Sequence, residues 1–272
     1  MGKRLSIIIP VYNCPCVGQA IESIPKSDFI EMIVVDGESN RETQNVLERY
    51  KDRMDVFISE KDRGLYDAMN KGIQESTGDW VLTLAADDQL VCSPITIIDK
   101  YANHDVDLIC GRLIAKDLKD RFFVIEPDRQ LNRLDIECSI AHPGVFFKRA
   151  AYGKYGRYDI RYRCAADHEL FLRFFRYGAK FGIIDEVVTY FQYGGMSTLK
   201  PSMAFKEDVQ ISDRYGVSFM RTRAFFMERY IKLYGARLKD EFNIPHKTHY
   251  MDLKEMEIFL DNHPEIIKRD FL

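Results

Sequence analysis

The segment Leu5-Ser6-Ile7-Ile8-Ile9-Pro10-Val11-Tyr12-Asn13 is a short apolar run, rich in isoleucine, that ends in a polar turn. A run of this length and composition is typical of a buried strand. The same rhythm of apolar run, polar turn and amphipathic segment returns over the first 115 residues. It predicts strands over Leu5–Ile9, Met32–Val35, Val56–Ser59, Trp80–Leu84 and Asp107–Ile114, and helices over Arg41–Lys51, Leu65–Ser76 and Ser93–Tyr101. Strands that alternate with helices indicate right-handed crossovers and a mostly parallel sheet flanked by helices, so the fold class is α/β.

The alternation of strand-like and helix-like segments becomes less regular after about residue 116. Further strands are predicted over Phe122–Ile125, Val145–Lys148 and Phe181–Phe191, with a helix over Asp167–Tyr177. The tail from about residue 203 has the composition of helices that mix charged and aromatic side chains. We therefore expect three parts: residues 1–115, residues 116–200 of the same domain, and a helical C-terminal extension over residues 201–272.

Composition narrows the classes of function. The 272 residues carry a net charge of −3, which argues against a strongly basic protein that binds nucleic acid. Six cysteines occur without any C-x-x-C pair, which favours free thiols of a reducing cytoplasm over a structural zinc site. No apolar run approaches the ~18 residues of a membrane span. We expect a cytoplasmic protein, or one on the inner face of a membrane.

Polar side chains follow several of the predicted strands. Tyr12 follows the first strand, Asp36 the second, and the pair Asp87-Asp88 comes after Trp80–Leu84. Ligands of open parallel sheets bind beyond the carboxyl ends of the strands, so these side chains are expected at one rim. The glycine-rich phosphate loops G-x-G-x-x-G and G-x-x-x-x-G-K-[ST] are absent from the sequence. Phosphates bound at this rim would need a metal or basic side chains.

Each of these rim residues has two interpretations. Asp87 and Asp88 are hard oxygen ligands that suit Mg²⁺ or Mn²⁺, or they belong to a solvated loop that starts a turn. Asp36 accepts a bond from a base or a ribose, or it begins an Asp-Gly turn. Tyr12 stacks on a nucleobase, or it packs in the core.

Several motifs, in order along the chain, resemble the family 2 GT-A glycosyltransferases over roughly residues 4–200. They are Ser6–Asn13, Val34–Ser39, Ser59–Gly72, Gly78–Val81, Ala86–Asp88, His142–Gly144, Ala166–Leu170 and Gly194–Ser197. The stretch Tyr66-Asp67-Ala68-Met69-Asn70-Lys71-Gly72 resembles the bacterial subgroup that builds capsule, exopolysaccharide or lipopolysaccharide O-chains. The resemblance implies a GT-A fold, with the donor bound by residues 1–115 and the acceptor by residues 116–200. It implies a UDP-sugar donor, a glycan or lipid-linked glycan acceptor, and inversion at the sugar carbon.

The resemblance also assigns roles on the donor side. Asp36 would bind the uracil or ribose, Pro10 and Tyr12 would line the base pocket, Asp87 would contact the ribose, and Asp88 would ligate Mg²⁺ or Mn²⁺. Two departures stand out: Gly37 where many members carry Asp, and Met69 where many carry Arg. Without that arginine, Arg63 beside Gly64, or Lys71, would contact the diphosphate. From spacing alone, Lys71 could equally form a surface ion pair with Asp67.

On the acceptor side, Asp167 matches the general base of the family. Its position at the start of a predicted helix also suits a simple N-cap. His142 and Glu169 are candidates for the acceptor site, although Glu169 and Arg173 have the spacing of an i,i+4 ion pair. Gly194–Ser197 is either a loop near the phosphates or an ordinary turn. The rival functions are a sugar-nucleotide pyrophosphorylase, a hydrolase with paired carboxylates, and a catalytically silent nucleotide-sugar-binding subunit.

Residues 214–239 combine basic and aromatic side chains, with Glu228 as their only acid. A helix of this composition suits the surface of an anionic membrane. The alternative is that its aromatic face packs on the catalytic domain while its charges stay in solvent.

Overall fold

A computed structural model of the chain describes residues 2, 4–117, 121–192, 201–228, 231, 251, 253–263 and 266. The strands are β1 (Leu5–Val11), β2 (Ile30–Asp36), β3 (Val56–Ser59), β4 (Trp80–Thr83), β5 (Gln89–Leu90), β6 (Leu108–Lys116), β7 (Phe122–Ile125), β8 (Val145–Lys148) and β9 (Phe181–Gln192). The helices are α1 (Val17–Ser23), α2 (Arg41–Arg49), α3 (Leu65–Glu75), α4 (Pro94–Tyr101), α5 (Arg149–Tyr155), α6 (Ala166–Arg176), α7 (Pro201–Arg214), α8 (219–228) and α9 (Leu253–Asp261). None of the helices described is long and apolar enough to cross a membrane.

One sheet runs through the molecule in the order β3-β2-β1-β4-β8-β6-β9-β5, and β7 pairs with β6. The strands β1 to β4 are mutually parallel. β8 runs antiparallel to both of its neighbours, whereas β6 and β9 are parallel. The predicted α/β class is confirmed, with the parallel part in the first half and a mixed part in the second.

β1 is central because both of its edges are paired and both of its faces are covered. Its seven residues are all buried, with β2 on one side and β4 on the other. Successive side chains of a strand point to opposite faces. Ile8 therefore joins the core that includes side chains of α3 and α6, while Ile7 and Ile9 join the core with α1, α2 and α4.

The strands and helices predicted before residue 193 are present, with small shifts of their ends, whereas much of the predicted helical extension over 201–272 lies outside the described residues. Among the described residues, three elements were not predicted. These three are α1, β5 and α5. α1 has seven residues and its N-cap, Cys16, makes no side-chain cap, so the usual start signal is missing. α5 follows β8 directly at Arg149, with no turn residue to mark the boundary.

Gly72 is the position where α3 approaches β1 most closely. A Cβ atom at Gly72 would overlap the side chain of Ile8, which is fully buried. We expect Gly72→Ala to lower the free energy of unfolding by about 1–3 kcal/mol, because overpacking exceeds the gain in helix propensity. Gly153 in α5 has open space around it and serves as the control. Urea unfolding of Gly153→Ala should show equal or higher stability, and a Gly72→Ala protein as stable as the wild type would contradict the packing argument.

Candidate active site

The ends of β1 and β2 form one side of a polar rim. The Asn13 backbone N–H donates to Ser39 Oγ at 2.8 Å, and the Asn40 N–H donates to Asn13 Oδ1 at 2.7 Å. Tyr12 next to this junction is 66% exposed, so the alternative that it packs in the core is wrong. Pro10 is buried in β1, beyond the last pairing of that strand with β4 at Ile8. The exposed ring of Tyr12 is thus available for stacking.

Asp36 at the end of β2 is fully buried, and its carboxylate organises the rim. It accepts bonds from the Ser39 N–H at 3.2 Å, from Gln44 Nε2 at 2.5 Å and from Ser59 Oγ at 2.7 Å. These donors come from the next loop, from α2 and from the end of β3. Asp36 therefore does more than begin a turn, because it joins three segments of the rim.

Asp62 explains one departure from the family pattern. A Cβ atom at Gly37 would overlap Asp62 Oδ2, so the Asp62 side chain fills the space beside Gly37. Asp62 Oδ1 also accepts the Gly64 N–H at 2.8 Å. Gly64 precedes α3 with a φ of 120°, in the region that favours glycine. An aspartate at position 37 would collide with this arrangement.

The two candidate cations of α3 and its preceding loop differ in availability. Lys71 Nζ binds Glu60 Oε1 at 2.8 Å and donates to the Lys61 carbonyl at 3.1 Å. Arg63 pairs with Asp67 at 3.1 Å, while its side chain stays 74% exposed. The alternative of a direct ion pair between Asp67 and Lys71 is not what forms, since Asp67 pairs with Arg63 and Lys71 with Glu60. Arg63 is the cation that remains accessible from solvent.

Asp87 and Asp88 differ sharply in environment. Asp88 is fully buried; its Oδ1 accepts the Gln192 N–H at 3.3 Å, and its Oδ2 has no hydrogen-bond partner within the described chain. Burial, and then the charge of Asp87, raises the pKa of Asp88 well above its ordinary value. Burial also raises the pKa of Asp87. The solvated-loop alternative is wrong for Asp88, because β5 pairs with β9 and draws the carboxyl inside.

This pair of carboxyls fits a divalent cation. A buried carboxylate oxygen without a donor is costly, and a hard cation satisfies it. Across the part of the chain that is described, no cluster of three or more His, Cys, Asp or Glu side chains is arranged to hold a metal. Mg²⁺ and Mn²⁺ are commonly bound through one or two carboxylates, with the remaining ligands from phosphates and water.

Asp167 is the second residue of α6, and the N-cap is Ala165, which has no side-chain cap. The N-cap interpretation of Asp167 is therefore wrong. Its Oδ1 accepts the Tyr66 hydroxyl at 3.2 Å and the His168 N–H at 2.9 Å. No residue in the described ranges bonds to its Oδ2. Burial raises the pKa of Asp167, the His168 N–H opposes this, and the charge of Asp208 adds to the rise.

Glu207 on α7 holds the segment that leads into α6. Its carboxylate accepts three backbone N–H groups just before α6, from Arg163 at 2.9 Å, Cys164 at 2.8 Å and Ala165 at 2.9 Å. Orphan donors at a helix start need acceptors, and negative charge is favoured there. Glu207 thereby fixes the start of the helix that carries Asp167.

His168 is held between two acceptors. Its Nδ1 lies 2.8 Å from Asp208 Oδ1 and its Nε2 lies 2.8 Å from the Leu134 carbonyl. A carboxylate and a carbonyl can only accept, so both ring nitrogens must donate and the ring is an imidazolium. Burial alone would lower the pKa of His168, but the bond to Asp208 and its charge outweigh burial, and the pKa is raised.

His142 and Glu169 both have contacts inside the protein. His142 is buried, its Nε2 bonds to the Tyr158 hydroxyl, and burial lowers its pKa to about 4. Glu169 is 1% exposed; it pairs with Arg173 at 2.9 Å, as the spacing predicted, and accepts the Tyr215 hydroxyl at 2.8 Å. An acceptor role for either residue stays a prediction.

Comparison with known proteins assigns the chain to a family. The model of "Glycosyl transferase family 2" matches residues 6–156, more than half of the sequence. The chain belongs to glycosyl transferase family 2. A PGL/p-HBAD biosynthesis glycosyltransferase of Mycobacterium bovis is 31% identical over 228 residues, covering 79% of this chain and 88% of that protein. An uncharacterized glycosyltransferase of Rickettsia prowazekii is 28% identical over 192 residues, which cover 63% of this chain and 58% of that protein.

Solved structures agree on the fold of this glycosyltransferase. A mannosyltransferase from Pyrobaculum calidifontis, in complex with GDP-Man and Mn²⁺, gives a TM-score of 0.60 at 17% identity, over 96% of this chain and 79% of that one. S. aureus TarS 1-349 in complex with UDP gives a TM-score of 0.59 at 16% identity. The match covers 77% of this chain and 64% of that one. The predicted GT-A fold and the predicted family are confirmed.

Three residues that support Asp167 were not singled out from the sequence: Tyr66, Glu207 and Asp208. Tyr66 belongs to a motif that was recognised, but nothing in the motif says that its hydroxyl meets a residue 101 positions later. Glu207 and Asp208 are ordinary acids of a charged helix until the fold places them at the start of α6. The motif Gly194–Ser197 lies outside the described residues.

The imidazolium of His168 predicts a pH dependence of stability. Because the folded pKa is raised, its contribution is complete below the unfolded pKa of about 6.5 and is lost as pH rises through the folded pKa. In Asp208→Asn the His168 ring can stay neutral and accept a hydrogen bond from the new amide. The free energy of unfolding of this variant should therefore be lower than that of the wild type by about 1–2 kcal/mol at pH 6, and by less at pH 9. Urea unfolding over this range checks it, with the exposed Asp105→Asn as control. Equal losses at both pH values would contradict the imidazolium.

Proposed function

We propose that this glycosyltransferase transfers a sugar from a nucleotide sugar, UDP-linked, to an acceptor hydroxyl with inversion at the anomeric carbon. The observation that carries the proposal is the state of Asp167. Its carboxyl has a raised pKa, one oxygen is held by Tyr66 of the donor half, and the other oxygen is left without a bond to any described residue. A carboxylate fixed in this way is suited to act as a general base.

On the donor side, the exposed Tyr12 would stack on the base, and Pro10 would shape that pocket from beneath. Asp36 would act through the loop and strand end that it joins, and Asp87 would meet the ribose. Support for a nucleotide at this rim comes from structural neighbours solved with UDP or GDP-Man. UDP is favoured here by the resemblance of the rim motifs to enzymes that use it.

The diphosphate would lie between Asp88 and the loop of Arg63 and Gly64. Arg63 is the better candidate for a direct contact, because Lys71 is engaged by Glu60 and the Lys61 carbonyl. Asp88 Oδ2 would hold Mg²⁺ or Mn²⁺, as its buried and unpartnered state suggests. A cation bound there would neutralise the negative charge that develops on the diphosphate leaving group.

The reaction then proceeds in line. The acceptor oxygen forms a bond to the anomeric carbon while the bond from that carbon to the diphosphate oxygen breaks, and its electron pair leaves with the diphosphate. Asp167 takes the proton of the acceptor hydroxyl. General-base catalysis of this kind typically contributes 10²–10⁴-fold.

We further propose that residues 1–115 bind the donor, residues 116–200 bind the acceptor, and residues 201–272 form an extension that braces the acceptor half. The acceptor would be a lipid-linked glycan of capsule, exopolysaccharide or lipopolysaccharide synthesis. His142 and Glu169 would shape its site through Tyr158 and Tyr215, whose hydroxyls they bind. All six cysteines are free thiols, which suits the cytoplasm, where we place the enzyme.

Asp167→Asn separates chemistry from structure. The amide keeps the size of the side chain and can still accept through Oδ1, but it cannot take the proton. With Mn²⁺ and a panel of nucleotide sugars, release of the nucleotide should fall by at least ~10²-fold, while Tm does not fall and UDP affinity stays unchanged. Asp105→Asn should keep full activity. If Asp167→Asn keeps its turnover, Asp167 is not the general base. If the wild type turns over no nucleotide sugar, the result favours a catalytically silent nucleotide-sugar-binding subunit.

Asp88→Asn tests the metal site with two independent readouts. Because the raised pKa of Asp88 makes its charge unfavourable in the fold, the metal-free variant should melt at a higher temperature than the wild type at pH 7. Calorimetry should show that UDP binding to the wild type is strengthened by Mn²⁺, and that the variant loses this gain. If a chelator leaves UDP affinity of the wild type unchanged, the metal assignment is wrong.

A further inference from the structure

The outward face of α8 carries an apolar stripe that is open to solvent. Met220 is 74% exposed, Met227 62% and Ile231, which is also helical, 62%. Ala224 between them is exposed as well. The spacing 220, 224, 227 and 231 places these four side chains, the α8 stripe, on one face of a helix.

The opposite face of α8 is attached to the body of the protein. Thr222 is fully buried, and the rings of Phe226 and Phe205 of α7 lie 5.5 Å apart. Arg221 pairs with Asp135 at 2.6 Å. Packing on the catalytic domain therefore accounts for the inner side chains of α8, and it leaves the α8 stripe facing outward.

The charged residues in the sequence of α8 and just after it are almost all basic. Arg223 lies over the ring of Phe219, which is itself 54% exposed, at 3.9 Å from the ring centre. The sequence adds Arg229, Lys232 and Arg237, with Glu228 as the only acid between 214 and 239. The apolar spacing also continues in the sequence, at Tyr234 and Leu238. An apolar stripe with basic flanks matches an anionic bilayer, where the stripe enters the interface and the flanks meet headgroups.

A second copy of the chain is a poorer occupant. Two α8 helices face to face would bring like charges together. These four exposed side chains offer on the order of a few hundred Å² of surface. A stable dimer needs about 800 Å² from each partner.

We propose that α8 docks the enzyme on the surface of an anionic membrane, with the α8 stripe inserted in the interface. The helix behind it, α7, carries Glu207 and Asp208, which hold the start of α6 and His168. The docked surface thus lies directly behind the elements that position Asp167. Docking itself does not depend on the proposed function. The further step, in which docking brings a bilayer-bound acceptor to Asp167, rests on the proposed function.

Flotation of the full-length protein with phosphatidylcholine vesicles, with and without phosphatidylglycerol, tests the docking. We expect binding only to the anionic vesicles, weakened by salt, since each Lys or Arg at the surface contributes about fivefold. Met220→Glu with Met227→Glu should reduce binding at least tenfold. Ile258→Glu, at an apolar position on α9 that is 53% exposed, is the matched control and should keep binding.

Three results would overturn the proposal: no binding of the wild type to anionic vesicles, equal binding by the double variant, or a dimer in solution that the double variant dissolves. The altered side chains are exposed, so Tm and nucleotide release in the absence of vesicles should match the wild type. Those two measurements keep a failure of docking distinct from a failure of the transferase assignment.

Discussion

Burial of β1 on both faces is the constraint on which the rest of the structure depends. A strand with no solvent-facing side needs helices above and below it and a paired strand at each edge. Its one polar residue, Ser6, accepts the Gly78 N–H and donates to Glu31, which in turn accepts from Thr77. This buried network ties the starts of β1, β2 and β4 together at the edge away from the rim. A ligand can therefore approach these strands only where they end.

Two kinds of buried carboxylate occur in the molecule, and they differ in what surrounds them. Asp36 and Glu207 are each saturated by three donors, and they hold segments together. Asp88 keeps one buried oxygen that no described residue satisfies, and the half-buried Asp167 receives no bond from the described residues at its Oδ2. Native proteins satisfy nearly all buried polar atoms, so an exception marks a group that is kept for another partner. The contrast separates the carboxylates that hold the site together from those that keep an oxygen available to a ligand.

Periodicity and turns were enough to predict most strands, because a run such as Ile7–Val11 has few alternatives. They also placed Tyr12, Asp36 and Asp88 at one rim, since the carboxyl ends of parallel strands share an edge. They did not reveal that Asp88 is buried, because that depends on β5, a two-residue strand formed only by pairing with β9. Nor did they reveal Glu207, whose partners lie more than 40 residues earlier. Contacts of this kind follow from the assembled fold, and no local pattern encodes them.

The support of Asp167 also bears on how small a working fragment of this enzyme can be. The matched family region ends at residue 156, before Asp167 and before α7, whose Glu207 and Asp208 hold the segment leading into α6 and His168. A fragment cut at that boundary would retain the rim but lose Asp167, the proposed proton acceptor. A fragment cut after α6 would keep the carboxyl, but the segment that leads into its helix would have lost Glu207. The shortest chain that preserves the geometry of the base therefore extends through Arg214, the last residue of α7.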